Sequence, residues 1–224
     1  GSTRVGHSRC ASRNTVLAYS AEVHFGLATF DVLQQGCAAA CGCTPADSYC
    51  FGACNYFCYQ SEINTRGFCA GCGPRPGNAA TASGALVLVP MLQDHFWSNP
   101  PAATNVPQLL QWADSSCSAD QELFALGNTP LNGMLRDMKR YYAGTYVTGD
   151  GLTTYPSPLA AQDLTGTGVN GGTGCRSVNV ILVTDGDETC DLQSDAVAAA
   201  QDLYTNGVTV GGKTFKVRIH VINF

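Results

Sequence analysis

The chain has 224 residues, 45% of them hydrophobic, with 12 basic and 17 acidic side chains and a formal net charge of −5. That composition can bury a sizeable core, which excludes global disorder. An acidic surface of pI near 5.2 repels phosphate backbones, so no nucleic-acid partner is expected.

No apolar run approaches the roughly 18 residues needed to cross a bilayer, so no transmembrane segment is expected. The N-terminus also lacks the apolar core of a signal peptide; an exported form would have lost its leader. Cysteine is the strongest compositional signal. There are twelve: Cys10, Cys37, Cys41, Cys43, Cys50, Cys54, Cys58, Cys69, Cys72, Cys117, Cys175 and Cys190. That is dense for a reducing cytosol, and only three lysines accompany it, so the expected setting is extracellular and oxidising.

In chain order, residues 12–20 read as the end of a short helix and 22–30 (EVHFGLATF) as a strand, with Val23, Phe25 and Leu27 alternating. Residues 31–83 hold eight of the cysteines and little periodicity, and read as a cross-linked insertion. Residues 84–92 (GALVLVPML) form an apolar strand. Residues 105–114 form a helix, with Asn105 placed to cap, Pro107 in the first turn and Gln108 completing a capping-box pattern. The clearest helix is 130–142. Leu131, Met134, Leu135, Met138 and Tyr142 share one face, Thr129 stands at the N-cap and Pro130 at the first helical position. A glycine- and threonine-rich insertion fills 143–176. The best buried strand, 178–184 (VNVILVT), is followed by DGDETCD and by a helix over 195–206, with Ser194 as cap and Asn206-Gly207 as stop. A Gly-Gly hairpin then feeds a last strand. This alternation predicts one α/β domain over 1–224, a three-layer, doubly wound, mostly parallel Rossmann-like sheet with two insertions.

Two motif matches mislead. Residues 207–214 (GVTVGGKT) satisfy GxxxxGK[ST], but a helix precedes and a β-rich segment follows, the reverse of what a phosphate cradle needs. Asp114, Ser116 and Ser118 match DxSxS, but they follow a helical segment rather than a buried strand and read as a polar helix end. HExxH and GxSxG are absent, and the four histidines are scattered. No enzymatic activity is expected.

The cluster spacing C-x3-C-x-C-x6-C-x3-C-x3-C-x10-C-x2-C lacks the paired CxxC rhythm of zinc ribbons, so these cysteines are expected as cystines. Eight cysteines allow 105 pairings. Cys175 and Cys190 bracket strand 178–184 and are expected to pair around it, with Cys10–Cys117 a weaker pairing.

Asp185 stands at the carboxyl end of the best strand, the edge where open α/β sheets bind ligands. Thr129 stands before the best helix. Each also has a plain role, as a turn residue and a helix cap. Together, GNTPLNGMLRDMKRYY and CRSVNVILVTDGDETC resemble the von Willebrand factor type A family, and within it the bacterial PilY-type pilus-tip and cysteine-rich surface adhesins. EVHFGLATF is similar to that family's second strand and VRIHVINF to its fifth. The resemblance covers about 12–30, 84–142 and 176–224.

It implies a divalent-cation adhesion site. In the family a DxSxS loop, a Thr before a helix and the Asp of TDG hold Mg²⁺, Mn²⁺ or Ca²⁺. A carboxylate from a protein or surface partner completes the coordination. Thr129 and Asp185 match the Thr and Asp ligands, and Asp187 and Glu188 would add negative field. The family's first strand and its DxS are missing from the sequence as written. Gly1-Ser2-Thr3 reads either as the tail of DxSGS, making Ser2 a third ligand, or as a Gly-Ser cloning scar. In the family that strand lies between those matched by 22–30 and 178–184, so the resemblance implies a further segment or a donated strand. It implies a cell-surface adhesion domain. The alternative is a structural module of a pilus or filament, contacting its subunits, with a vestigial metal site. An exported enzyme with a similar core is the third reading.

Overall fold

The computed structural model describes residues 4–20, 22–30, 84–92, 104–116, 121–123, 129–147, 154–160 and 177–223. Ser2, Ser118, Cys117, Cys175, the cysteines of 37–72, the 31–83 insertion and most of 143–176 lie outside them. The described chain mixes helices with small sheets and divides into two compact units, with breaks that include one between Leu86 and Val87 and one before Thr129.

The first unit holds helix α1 (Arg4–Tyr19), strand β1 (Leu27–Phe30), the Val87–Val89 end of strand β2 (Ala85–Val89) and the short helix α2 (Val106–Gln111). α1 ends at Tyr19, in line with 12–20 read as the end of a helix, and runs back to Arg4. It is polar almost all round and buries only Arg9 and Val16, seven residues apart and so on one face. Val16 packs with Val89, Leu109 and Trp112, flanked by Phe25, Leu27 and Leu123. β1 is shorter than the strand expected over 22–30, because the Glu22 and Val23 amides fold back onto the Tyr19 carbonyl at 2.9 Å. β1 and β2 pair in a two-stranded sheet.

α2 is also shorter than expected, and Asn105 does not cap it. Its side-chain amide instead donates to the carbonyls of Phe25 (2.8 Å) and Pro90 (2.9 Å), tying the approach to β1 to the exit of β2. Thr104 Oγ1 takes the Val106 amide at 3.2 Å. Beyond α2, the Asp114 carboxylate accepts the Ser116 amide at 2.8 Å, the polar turn expected there. Arg9 makes a buried ion pair with Glu122 (3.1 Å) and donates to the Leu123 carbonyl at 2.6 Å. Burial pushes the Glu122 carboxyl up, against the opposing pull of Arg9.

The second unit contains helix α3 (Leu131–Ala143), a 3₁₀ turn (Pro158–Ala160), strand β3 (Val178–Thr184), helix α4 (Gln193–Thr205) and strands β4 (Val208–Val210), β5 (Lys213–Phe215) and β6 (Val217–Asn223). α3 buries Met134, Leu135, Met138, Tyr141 and Tyr142 along its apolar stripe. It ends at Gly144, whose φ of 75° is the left-handed stop that glycine allows. Ala85 is gripped twice: its amide donates to Asp137 (3.0 Å) and its carbonyl accepts from Tyr146 (2.7 Å), both fully buried. α4 buries Ala196, Ala199 and Leu203. It starts at Gln193 with Leu192, not Ser194, at the cap position, and no side chain caps it.

β3 runs parallel to β6 in an unbroken register from Val178↔Val217 to Thr184↔Asn223. In a parallel pair, registered partners share a face, so Ile181 and Ile222 stand on the same side, where both are exposed. β4 and β5 form an antiparallel hairpin whose turn residues, Gly211 and Gly212, both have positive φ (57° and 79°), as a type I′ turn requires. This hairpin spans the sequence that mimics a phosphate loop, and it offers no helix start. The three described sheets, β1–β2, β3–β6 and β4–β5, each have two strands. Residues 22–30 and 178–184 are therefore not ladder partners among the described residues.

Candidate functional site

The site is built where β3 ends. Thr184 Oγ1 accepts the Gly186 amide (3.3 Å) and lies 3.1 Å from the Gly186 carbonyl, to which it donates. That tight local turn sets Asp185 at the tip of the strand, exposed to solvent, and starts the acidic loop through Asp191. Asp185, Asp187, Glu188 and Asp191 place four carboxylates within seven positions, so the loop concentrates negative field.

Two of those carboxylates have structural duties. Glu188 Oε1 accepts the amides of Cys190 (2.8 Å) and Asp191 (3.1 Å), which closes the loop on itself. Glu188 Oε2 accepts the Asn132 amide at 2.6 Å, one of the orphan donors in the first turn of α3. A carboxylate there also faces the positive end of the helix dipole. Asp191 accepts from the Asn132 side chain at 2.8 Å, and the other end of that amide takes Arg136 Nε at 2.9 Å.

Thr129 is locked to the same loop. Its amide donates to Thr189 Oγ1 (2.7 Å), and its carbonyl accepts the Thr189 amide (3.2 Å). The N-cap role expected of Thr129 is not realised. Pro130 occupies the cap position, no side chain of its own caps the helix, and Glu188 reaches in from the far loop instead. The reason is steric: with Pro130 at the cap, Thr129 lies one residue too early for its side chain to reach the helix amides. Its hydroxyl oxygen lies 3.3 Å from where a Cβ on Gly186 would stand. The Thr129 hydroxyl thus faces the residue beside Asp185.

The structure therefore brings Thr129 and Asp185 to one loop cluster, with Asp187 and Glu188 adjacent, while Ser2 lies outside the described residues. The donors are hard oxygens, suited to Mg²⁺, Mn²⁺ or Ca²⁺ rather than to soft metals. Among the described residues no three His, Cys, Asp or Glu side chains gather as a self-sufficient metal cluster. A cation here would need the Thr129 hydroxyl and further oxygens beside Asp185. Cys190, at the end of the loop, is disulfide-bonded to a cysteine outside the described residues. Cys10 is a free, exposed thiol, which corrects its expected pairing with Cys117: it stands on the solvent side of α1, turned from the buried Arg9–Val16 face.

Sequence reasoning missed Glu188 as the cap of α3 and Asn132 as the link between Asp191 and Arg136. One signal was present: α3 begins after a proline with no acidic residue in its first turn, so its orphan amides needed a partner from elsewhere. No family model, no curated protein and no solved structure matches the chain.

Proposed function

We propose that the chain is a non-enzymatic, extracellular binding domain of the von Willebrand A type. In this reading the loop after β3 holds a divalent cation that captures a carboxylate on a protein or surface partner. The observation that carries it is the position of the Thr129 hydroxyl. With Pro130 at the cap position it caps no helix amide, and it faces Gly186, next to Asp185. A hydroxyl and a carboxylate held this way are the two parts of the cation site that the resemblance assigns to this stretch.

Thr129 and Asp185 would hold the cation, and Glu188 and Thr189 keep their loop against α3. The bound cation supplies Lewis acidity toward an external carboxylate, which a surface of net charge −5 would otherwise repel. The three-layer, doubly wound arrangement belongs to the same proposal. β3 carries Val178 and Leu182 on one side and Ile181 and Val183 on the other, the two-sided apolar character of a strand placed between helix layers. The rival reading, a structural module of a pilus or filament that takes a donated strand, draws on Glu188. Both of its oxygens are engaged in hydrogen bonds, which leaves the loop fewer free ligands.

Calorimetry with Mg²⁺, Mn²⁺ and Ca²⁺, on the chain and on a form extended upstream by a DxSxS strand, tests the proposal. Cation binding is expected, strongest in the extended form. Asp185→Ala should abolish it, and Thr129→Ala should weaken it by about tenfold, the loss of one neutral ligand. Adhesion to a carboxylate-bearing surface should vanish in chelator. If the extended form binds no cation, or adheres equally in chelator, the cation mechanism fails and the structural-module reading replaces it.

A further inference from the structure

A cleft of about 320 Å³ opens between α3 and α4, away from the acidic loop. Its floor is apolar: Leu135 and Ala143 from α3, and Ala199 from α4. The two alanines leave room where larger side chains would fill the groove between packed helices. Its rim is basic. Arg136, Lys139 and Arg140 all line it, and at spacings of three and four residues they share one face of α3. A quarter of the chain's 12 basic residues thus meet in one groove of an acidic protein.

Internal pairing does not use up this charge. Lys139 pairs with Asp202 (2.5 Å), and Arg140 pairs through Nη1 with the buried Asp137 (2.8 Å). Arg136 donates Nε to the neutral amide oxygen of Asn132 and meets no carboxylate among the described residues. Three cations against two carboxylates leave one positive charge. The Asn132 bond, braced in turn by Asp191, fixes the guanidinium plane and leaves its two terminal nitrogens without partners among the described residues. The Asp202 carboxyl is held below the usual range, first by the Lys139 and Asn206 hydrogen bonds and further by the Arg136 charge, so the field of Arg136 reaches across the cleft.

We infer that this cleft binds an organic monocarboxylate, with its carboxylate on the forks of Arg136 and Arg140 and a short aliphatic stem on Leu135, Ala143 and Ala199. Guanidinium forks match carboxylates two bonds at a time. The single unmatched charge selects a monoanion, since a phosphate dianion would set a second negative charge beside Asp202. The volume lies at the low end for small-molecule sites, which favours a ligand of modest length. The site needs no metal, and none of its lining residues belongs to the cation loop, which reaches it only through the Asp191–Asn132 brace on Arg136.

The test is titration of the whole chain with hexanoate, followed by amide chemical shifts and calorimetry, with hexanol and inorganic phosphate as comparison ligands and EDTA present throughout. Saturable hexanoate binding that weakens with salt is expected. Hexanol should not bind, and phosphate should bind at least about tenfold more weakly. Arg136→Gln should lower hexanoate affinity by about tenfold or more, with an unchanged circular dichroism spectrum. Ala143→Leu, at a partly exposed helix end, should block the stem and remove binding while leaving Arg136 in place. Absence of hexanoate binding, equal binding by phosphate, or indifference to Arg136→Gln would each overturn the proposal. EDTA makes the result independent of the cation site: loss of cation binding leaves the cleft intact, and the reverse holds too.

Discussion

Glu188 and Thr129 exchange the roles that their neighbourhoods suggest. A threonine before Pro-Leu reads as a cap, and a glutamate in an acidic loop reads as surface charge. The structure gives the capping to the glutamate, 56 residues away in sequence. This has a measurable consequence. Glu188→Ala removes acceptors for the amides of Asn132, Cys190 and Asp191 and should cost about 1–2 kcal/mol in denaturant unfolding. Thr129→Ala, whose side chain caps nothing, should change stability by less than about 0.5 kcal/mol. Equal losses from the two would restore the plain capping role to Thr129. The expectation that Thr129 and Asp185 act together came from the family resemblance, and the structure sets the Thr129 hydroxyl toward Gly186, the neighbour of Asp185. The Glu188 bond was not legible in the sequence, because no local pattern encodes a partner from another loop.

The elements divide by how local their causes are. β3, α3 and the Gly-Gly hairpin appear where the sequence placed them, because each carries its own periodicity and its own stop. β1 and α2 came out shorter than expected, one through a local turn and one through a tertiary contact: the Glu22 and Val23 amides fold back onto the nearby Tyr19 carbonyl, and Asn105 leaves its helix to join two strands. The hairpin allows a sharp comparison of two glycines with similar φ. Gly207 (69°) and Gly212 (79°) are both left-handed, but a Cβ on Gly207 would stand 2.3 Å from the Phe215 carbonyl oxygen, while one on Gly212 meets nothing within 4 Å. Gly212→Ala should therefore cost about 1 kcal/mol of backbone strain alone. Gly207→Ala should cost clearly more, because β5 must also move. Thermal unfolding of the two variants reads the difference, and equal shifts in midpoint would contradict the described contact.

For the molecule as a whole, two carboxyls bend stability with pH in opposite directions. Glu122 is raised by burial, so its favourable share is present below the ordinary carboxylate range, near 4.3, and is lost as pH rises through the raised value. Asp202 is lowered by Lys139 and Asn206. Its share is present above the ordinary range and is lost as pH falls through the lowered value, in muted form because the side chain is 34% exposed. In urea unfolding across pH, Glu122→Gln should flatten the fall on the rising side, and Asp202→Asn the fall on the acid side. An unchanged slope in either variant would contradict that assignment. The β3–β6 ladder also has a mechanical meaning. A pull along the axis of β6 would load all seven registered rungs from Val178 to Thr184 at once, so they yield together, in shear. The β4–β5 hairpin, with three, would open one rung at a time, like a zip. If the loop at the tip of β3 grips a partner, tension on that grip runs into the part of the fold best arranged to resist it.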